Sequence, residues 1–143
     1  MYIFGSLFTS TLKAERMLNY LFVGLGAAVG GIGRYWLSGV VQNLHPVGFP
    51  YGTLTVNVLG SFILGLIMFS MEAEIMIQPE YRLFWTVGMC GALTTFSTFS
   101  FETLQLIRDA EFAAAGLNVL LNVILTLAAL IVALGLVRKF MGG

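Results

Sequence analysis

Charge is what this chain has least of. Only 10% of its 143 residues are Asp, Glu, Lys or Arg, against 58% hydrophobic, and the mean hydropathy is +0.91. So few charges cannot cover a water-soluble surface, and the balance is that of a membrane protein whose partner is the lipid bilayer. Cysteine is nearly absent too. The single Cys90 excludes an intrachain disulfide and a thiolate metal cluster, and it reads as a small packing residue. The one histidine, His45, lies beside Pro46 in a loop and has no companion ligand. No nucleophile–base pair stands out, so an enzyme is not expected. Nor is a nucleic-acid partner, since the net charge is zero.

What the chain does have is four apolar stretches, at about 18–40, 53–71, 82–108 and 112–137, each near the roughly 20 residues a membrane helix needs. The expected fold is an all-α membrane protein with four transmembrane helices. No room is left for an ATPase module or a catalytic domain. Residues 17–143 form one channel-sized domain in this reading. The first sixteen, "MYIFGSLFTSTLKAER", form an amino-terminal extension outside the core. They are too short and polar to span. Lys13 and Arg16 follow their apolar piece, which argues against a signal peptide. With the amino end inside, Lys13, Arg16, Arg82, Arg138 and Lys139 face the cytoplasm and Arg108 faces out, predicting both termini inside. Without the extension that bias shrinks, and a chain with little bias can insert both ways. The chain carries no internal repeat, so inverted symmetry would need two copies of it.

The spans carry polar residues that lipid does not tolerate. In the first, Gly26, Gly30 and Arg34 recur at steps of four on one helix face. The glycines permit close helix packing. Arg34 is a fixed positive charge, which either snorkels to the interface or draws anions toward a pore mouth. In the second span Asn57, Ser61 and Gly65 share a face, and Asn57 offers two N–H donors to an anion or to a neighbouring helix. In the fourth, Asn118, Asn122 and Thr126 again fall at steps of four, a polar track suited to a wetted face. No span has a carboxylate at its middle; Glu102, low in the third, comes nearest.

The third span is the oddest. From Gly91 to Ser100 it reads "GALTTFSTFS", with hydroxyls at Thr94, Thr95, Ser97, Thr98 and Ser100 competing for backbone bonds. This predicts a broken helix, tolerated at bilayer depth only where the backbone lines a cavity or is buried in protein. A break frees carbonyls for a cation and N–H groups for an anion. Phe96 and Phe99 lie three apart, so in a helix they point the same way. The positive edges of their rings can hold an anion without a full charge.

"GxxxR" in span one, "GTLTVN" entering span two and "GALTTFSTFSFE" in span three together resemble the Fluc fluoride channels, also called the CrcB family. The match runs from about Met17 to the carboxyl end. The resemblance implies an antiparallel, dual-topology homodimer with two fluoride pores in the cell inner membrane. It implies Phe96 and Phe99 as pore phenylalanines, Asn57 as the pore asparagine and Arg34 as the vestibule charge. Thr95, Ser97 and Thr98 then line the pore with the fourth-helix track of Asn118, Asn122 and Thr126. It also implies a structural sodium ion (Na+) at the dimer interface, held by backbone carbonyls of Gly91 and Thr94. Two departures from the family pattern are Ala92, where a second glycine is common, and the asparagine-rich track. The rival readings are a small proton-coupled exporter, which needs a buried titrating carboxylate, and an accessory subunit whose polar faces only join helices.

Overall fold

The computed structural model describes residues 2–45, 48–72 and 78–141, with side chains for 16–45, 48–72 and 78–140. Every regular element among these residues is helical. Helix α1 (Tyr2–Leu44) is followed by α2 (Tyr51–Glu72), and then by a composite third segment. That segment begins with α3 (Pro79–Leu83), passes through a π-helical stretch, π1 (Phe84–Cys90), and continues as α4 (Gly91–Leu93). Helix α5 (Phe96–Arg108) and helix α6 (Phe112–Met141) complete the chain.

Helix α1 is 43 residues long, about 65 Å at the usual rise, roughly twice the hydrocarbon thickness of a bilayer. Its backbone carries the amino-terminal extension without interruption into the first apolar stretch.

Two helices, Tyr51–Glu72 and Phe112–Phe140, are long and apolar enough to cross a membrane on length and composition alone. Their hydropathies are 2.0 and 2.7, yet only 22% and 11% of the apolar windows are buried. A soluble core helix would hide such a window. These expose it, and that much apolar surface requires lipid or another protein. The other two expected crossings differ for local reasons. Helix α1 dilutes its apolar stretch with five glycines between Gly24 and Gly33 and with Arg34. The third segment is divided into pieces too short for such a test.

Small residues set the packing. Helix α2 lies along α6, and α1 lies against π1 and α4. Gly26 and Gly30 make the second contact possible. A Cβ on Gly26 would run into the carbonyl of Phe84, and one on Gly30 into that of Met89. The glycine face legible in the sequence is thus a backbone-to-backbone seam. Around it Val56, Met89, Cys90 and Leu93 form the buried core, with Val56 and Cys90 almost wholly enclosed. Cys90 is the packing residue its isolation suggested.

The turn from α5 to α6 needs only three residues. Glu111 N–H donates to Leu106 O at 2.8 Å and Ala110 N–H to Ile107 O at 3.1 Å, the paired bonds of a Schellman cap. Ala110 takes the left-handed position there, with φ 61°. The tight turn folds α6 back beside α5 and brings the asparagines of one helix against the hydroxyls of the other.

Candidate functional site

Between α4 and α5 the helical bonding stops. Thr94 N–H still donates to Cys90 O at 3.1 Å, but Thr94 (ψ 155°) and Thr95 (φ −151°, ψ 118°) have extended backbone. A helix end leaves its last carbonyls and the next helix's first N–H groups without intrahelical partners. The site is built from the ways these groups are met.

Asn57 of α2 meets two of them. Its Oδ1 accepts from Thr95 N–H at 2.7 Å, and its Nδ2 donates to Thr95 O at 3.2 Å. One buried amide therefore holds both polar groups of a single extended residue. The second Nδ2 hydrogen goes to Asn122 Oδ1 at 3.0 Å. Both donors of Asn57 are thus engaged within the protein in this conformation, a finding the sequence could not supply.

Thr95 restarts the helix. As N-cap of α5 its Oγ1 accepts from Thr98 N–H at 3.2 Å. The same hydroxyl donates to Thr98 Oγ1 at 3.0 Å and lies 3.2 Å from Ser97 Oγ. Thr95 is buried, whereas Ser97 and Thr98 are exposed, so the cluster reaches from the protein interior to its surface. Thr94 Oγ1 donates to Cys90 O at 3.1 Å, and the Thr94 methyl packs against Gly60, where a Cβ would stand 2.5 Å away.

The α6 track continues from Asn57. Asn122 Nδ2 donates to Asn118 O and to Asn118 Oδ1, each at 3.0 Å. Thr126 Oγ1 donates to Asn122 O at 2.5 Å. Asn118 is 0% exposed and donates from Nδ2 to Thr103 Oγ1 at 2.9 Å, and Thr103 in turn donates to Phe99 O at 2.7 Å. Thr103 is the functional neighbour that reading along single helices misses. It lies on a different helix from the asparagine it meets, and no step-of-four pattern on one helix reveals such a pair.

Two clefts flank Thr95. One, of about 290 Å³, is lined by Asn57, Thr95, Phe96, Phe99, Asn122 and Thr126 among others. The second, of about 260 Å³, is lined by Arg34, Tyr35, Ser38, Thr53, Thr95 and Thr98, with Gly31 and Val56. The expected pore residues are therefore divided. Asn57, Phe96, Phe99, Asn122 and Thr126 share the first cleft with Thr95, while Arg34 and Thr98 belong to the second. Asn118 reaches the first cleft only through Asn122, and Ser97 only through Thr95. The two phenylalanine rings stand 5.4 Å apart and tilted by 52°. Phe99 is 9% exposed, but Phe96 is 79% exposed, projecting from the chain beside the first cleft.

Glu102 lies one helical step beyond this cluster. Its Oε1 accepts from Thr53 Oγ1 at 2.7 Å, while Oε2 is buried without a partner.

The donor type at Gly91 and Thr94 suits a hard cation. Gly91 lies in the last turn of α4, where carbonyls lack helical partners, and is exposed; the extended backbone of Thr94 turns its own carbonyl out of the helix. Carbonyl oxygens of that kind can replace the water around an alkali-metal ion. Among the described residues no group of three or more His, Cys, Asp or Glu side chains could hold a transition metal.

Apolar outer faces around a helix interruption met by hydroxyls and amides define a helical membrane protein. Comparison with known proteins narrows the class. The family model described as CrcB-like protein, Camphor Resistance (CrcB), matches residues 21–136, and the chain belongs to that family. It is 49% identical over 108 residues to a fluoride-specific ion channel FluC of Vibrio campbellii, covering 76% of this chain and 85% of the relative. It is 50% identical over 113 residues to the protein of that name from Geobacter metallireducens, covering 78% and 90%. Against the one from Nitratiruptor sp. it is 47% identical over 121 residues, covering 85% and 93%.

Proposed function

We propose that this protein is a passive, fluoride-selective channel of the cell inner membrane, crossing it several times and exporting cytoplasmic fluoride. The observation that carries the reading is the Asn57–Thr95 lock, which places a helix interruption beside two phenylalanines and an amide track. It stands in a chain about half identical to proteins named fluoride-specific ion channels. In this reading α3 to α5 together make one interrupted crossing, and α1, α2 and α6 make the other three.

The physical need is direct. Hydrogen fluoride crosses lipid uncharged and ionises in the more alkaline cytoplasm, and the anion cannot return through hydrocarbon. A negative-inside potential favours its exit by about 2.3 kcal/mol per charge per 100 mV, which sustains roughly a fortyfold gradient without ATP or an exchanged ion. Selectivity follows from a narrow path in which hydroxyl and amide donors and ring edges replace fluoride's water.

Two copies complete the site. Phe96 projects from one chain and is covered when a second, antiparallel copy brings its own cleft against it, giving two pores related by the twofold axis. The same axis brings together the Gly91 and Thr94 carbonyls of both copies. Two carbonyls are too few for a sodium ion; four form a cage. Sodium there would supply a fixed positive charge tying the two interruptions together.

Purified protein in liposomes tests the reading. Fluoride should leave under a voltage and chloride should not, and chloride flux equal to fluoride flux overturns the selectivity.

The unpartnered Oε2 of Glu102 favours a second reading, a proton-coupled exporter in which this carboxylate titrates. Transport that follows an imposed pH gradient at zero voltage, and is lost in Glu102→Gln, would select it.

A further inference from the structure

The amides of the site form a chain with one direction. Thr95 N–H can only donate, so Asn57 must present Oδ1 to it and Nδ2 to Asn122. Asn122 then accepts through Oδ1 and donates through Nδ2 to Asn118 Oδ1. Asn118, its oxygen thus engaged, turns Nδ2 to Thr103 Oγ1, and the Thr103 hydroxyl donates its hydrogen bond to Phe99 O. A backbone carbonyl can only accept. The direction is therefore fixed at both ends by main-chain groups, Thr95 N–H and Phe99 C=O, and both belong to the residues around the interruption.

We propose that Thr103 is the positioning residue that terminates this chain, and that through the buried Asn118 it holds the cleft-lining Asn122 and Asn57 amides in the one orientation in which their N–H donors can be shared with a passing anion. The inference rests on the conduction reading above. Three features single Thr103 out. Asn118 is 0% exposed, so no water can replace the lost acceptor. Its amide oxygen is already taken by Asn122 Nδ2, so flipping Asn118 would set N–H against N–H there. And the chain ends on the carbonyl of Phe99, whose ring lines the cleft, so the same hydroxyl ties the α6 amides to the first turn of α5. A valine in this place keeps the shape of the side chain and removes the acceptor and the donor together.

The test compares Thr103→Val and Thr103→Ser, reconstituted at equal amounts of monodisperse protein. Fluoride efflux should fall at least tenfold in Thr103→Val and stay within twofold of the unmodified protein in Thr103→Ser, which keeps the hydroxyl. Flux in Thr103→Val equal to the unmodified protein's overturns the proposal, and so does equal loss in both variants, which marks a packing role. Nuclear magnetic resonance of asparagine-labelled protein gives a readout independent of conduction. The Asn118 side-chain amide should exchange slowly with solvent in the unmodified protein and at least tenfold faster in Thr103→Val. A rapidly exchanging Asn118 amide in the unmodified protein overturns the proposal even if the valine variant fails to fold. Absence of fluoride flux in the unmodified protein, with a protected Asn118 amide, instead overturns the conduction reading and leaves Thr103's place in the chain standing.

Discussion

Replacing Asn57 by aspartate changes one atom and separates two effects. The new side chain can still accept from Thr95 N–H, but it presents oxygen where Nδ2 now donates to Thr95 O and to Asn122 Oδ1. Asn57, Thr95 and Asn122 are all buried, so two acceptors lose their donor without access to water. At roughly 1–3 kcal/mol for each stranded group, the folded state loses about 2–6 kcal/mol, less whatever a turn of the Asn122 amide restores. The second effect falls on the ion. A carboxylate about 4 Å from a passing fluoride, at an effective dielectric near 20, raises its energy by about 4 kcal/mol, which slows passage roughly a thousandfold.

Both effects can be read on the same preparation. Thermal unfolding followed by size-exclusion chromatography gives the loss of stability. A fluoride electrode outside loaded liposomes gives the flux per folded protein. Asn57→Asp should unfold at a clearly lower temperature, and the part that remains folded should pass fluoride below detection. The neutral Asn57→Ala breaks the same lock without adding charge, so its folded fraction should conduct more than that of Asn57→Asp. Flux within threefold of the unmodified protein in Asn57→Asp would refute the argument that this amide stands beside the ion path. Unchanged stability would refute the lock itself.

Phe96→Ile should abolish fluoride flux, and because the ring is 79% exposed in the single chain but covered in the proposed dimer, any loss of stability should appear as weaker dimer association; Phe99→Ile, at a 9% exposed position, should lose flux and about 1 kcal/mol or more of stability, both read by the assays above. Gly30→Ala should destabilise by about 1–3 kcal/mol and lower the yield of folded protein, since its methyl has nowhere to go but into the Met89 carbonyl; melting curves decide this, and Gly31→Ala, with open space around it, is the matched control. Arg34→Gln should reduce fluoride flux severalfold at low ionic strength and much less near 1 M salt, where the screening length falls to about 3 Å; a salt-independent loss would show that Arg34 acts through packing and not by attracting anions.

How much of this was legible depends on whether the signal lies within one helix or between two. Glycines at steps of four in span one needed only a helical wheel, and Gly26 and Gly30 do sit on one seam, against Phe84 and Met89. The hydroxyl run after Gly91 also marks its own place, since the extended residues Thr94 and Thr95 fall inside it. The π-helical turn from Phe84 to Cys90 could not be read, because "FWTVGMC" contains no residue that forbids ordinary helix. Within it the backbone of Gly88 closely approaches Gly26 and Val23 of α1, a contact between helices that no pattern along one segment reveals. Such wide turns recur at functional sites, and this one leads directly into the interrupted segment.

The asparagines show the same divide more sharply. Asn57, Asn118 and Asn122 were visible as polar residues on apolar helices, and an amide in that setting either joins helices or meets an ion. The geometry shows the joining role, with Asn57 bonded to α6 through Asn122 and Asn118 bonded to α5 through Thr103. Each amide spends its donors inside a connected row, so an anion in the proposed path would have to share those donors with the acceptors they now meet, because stranding a buried acceptor costs roughly 1–3 kcal/mol. Thr126 lines the same cleft as Asn57 and Asn122 but donates to the backbone carbonyl of Asn122, so it stands beside the amide row and not in it. In the proposed channel the ion-binding role would fall to these same amide hydrogen bonds, made to protein when the path is empty and shared with the anion as it passes.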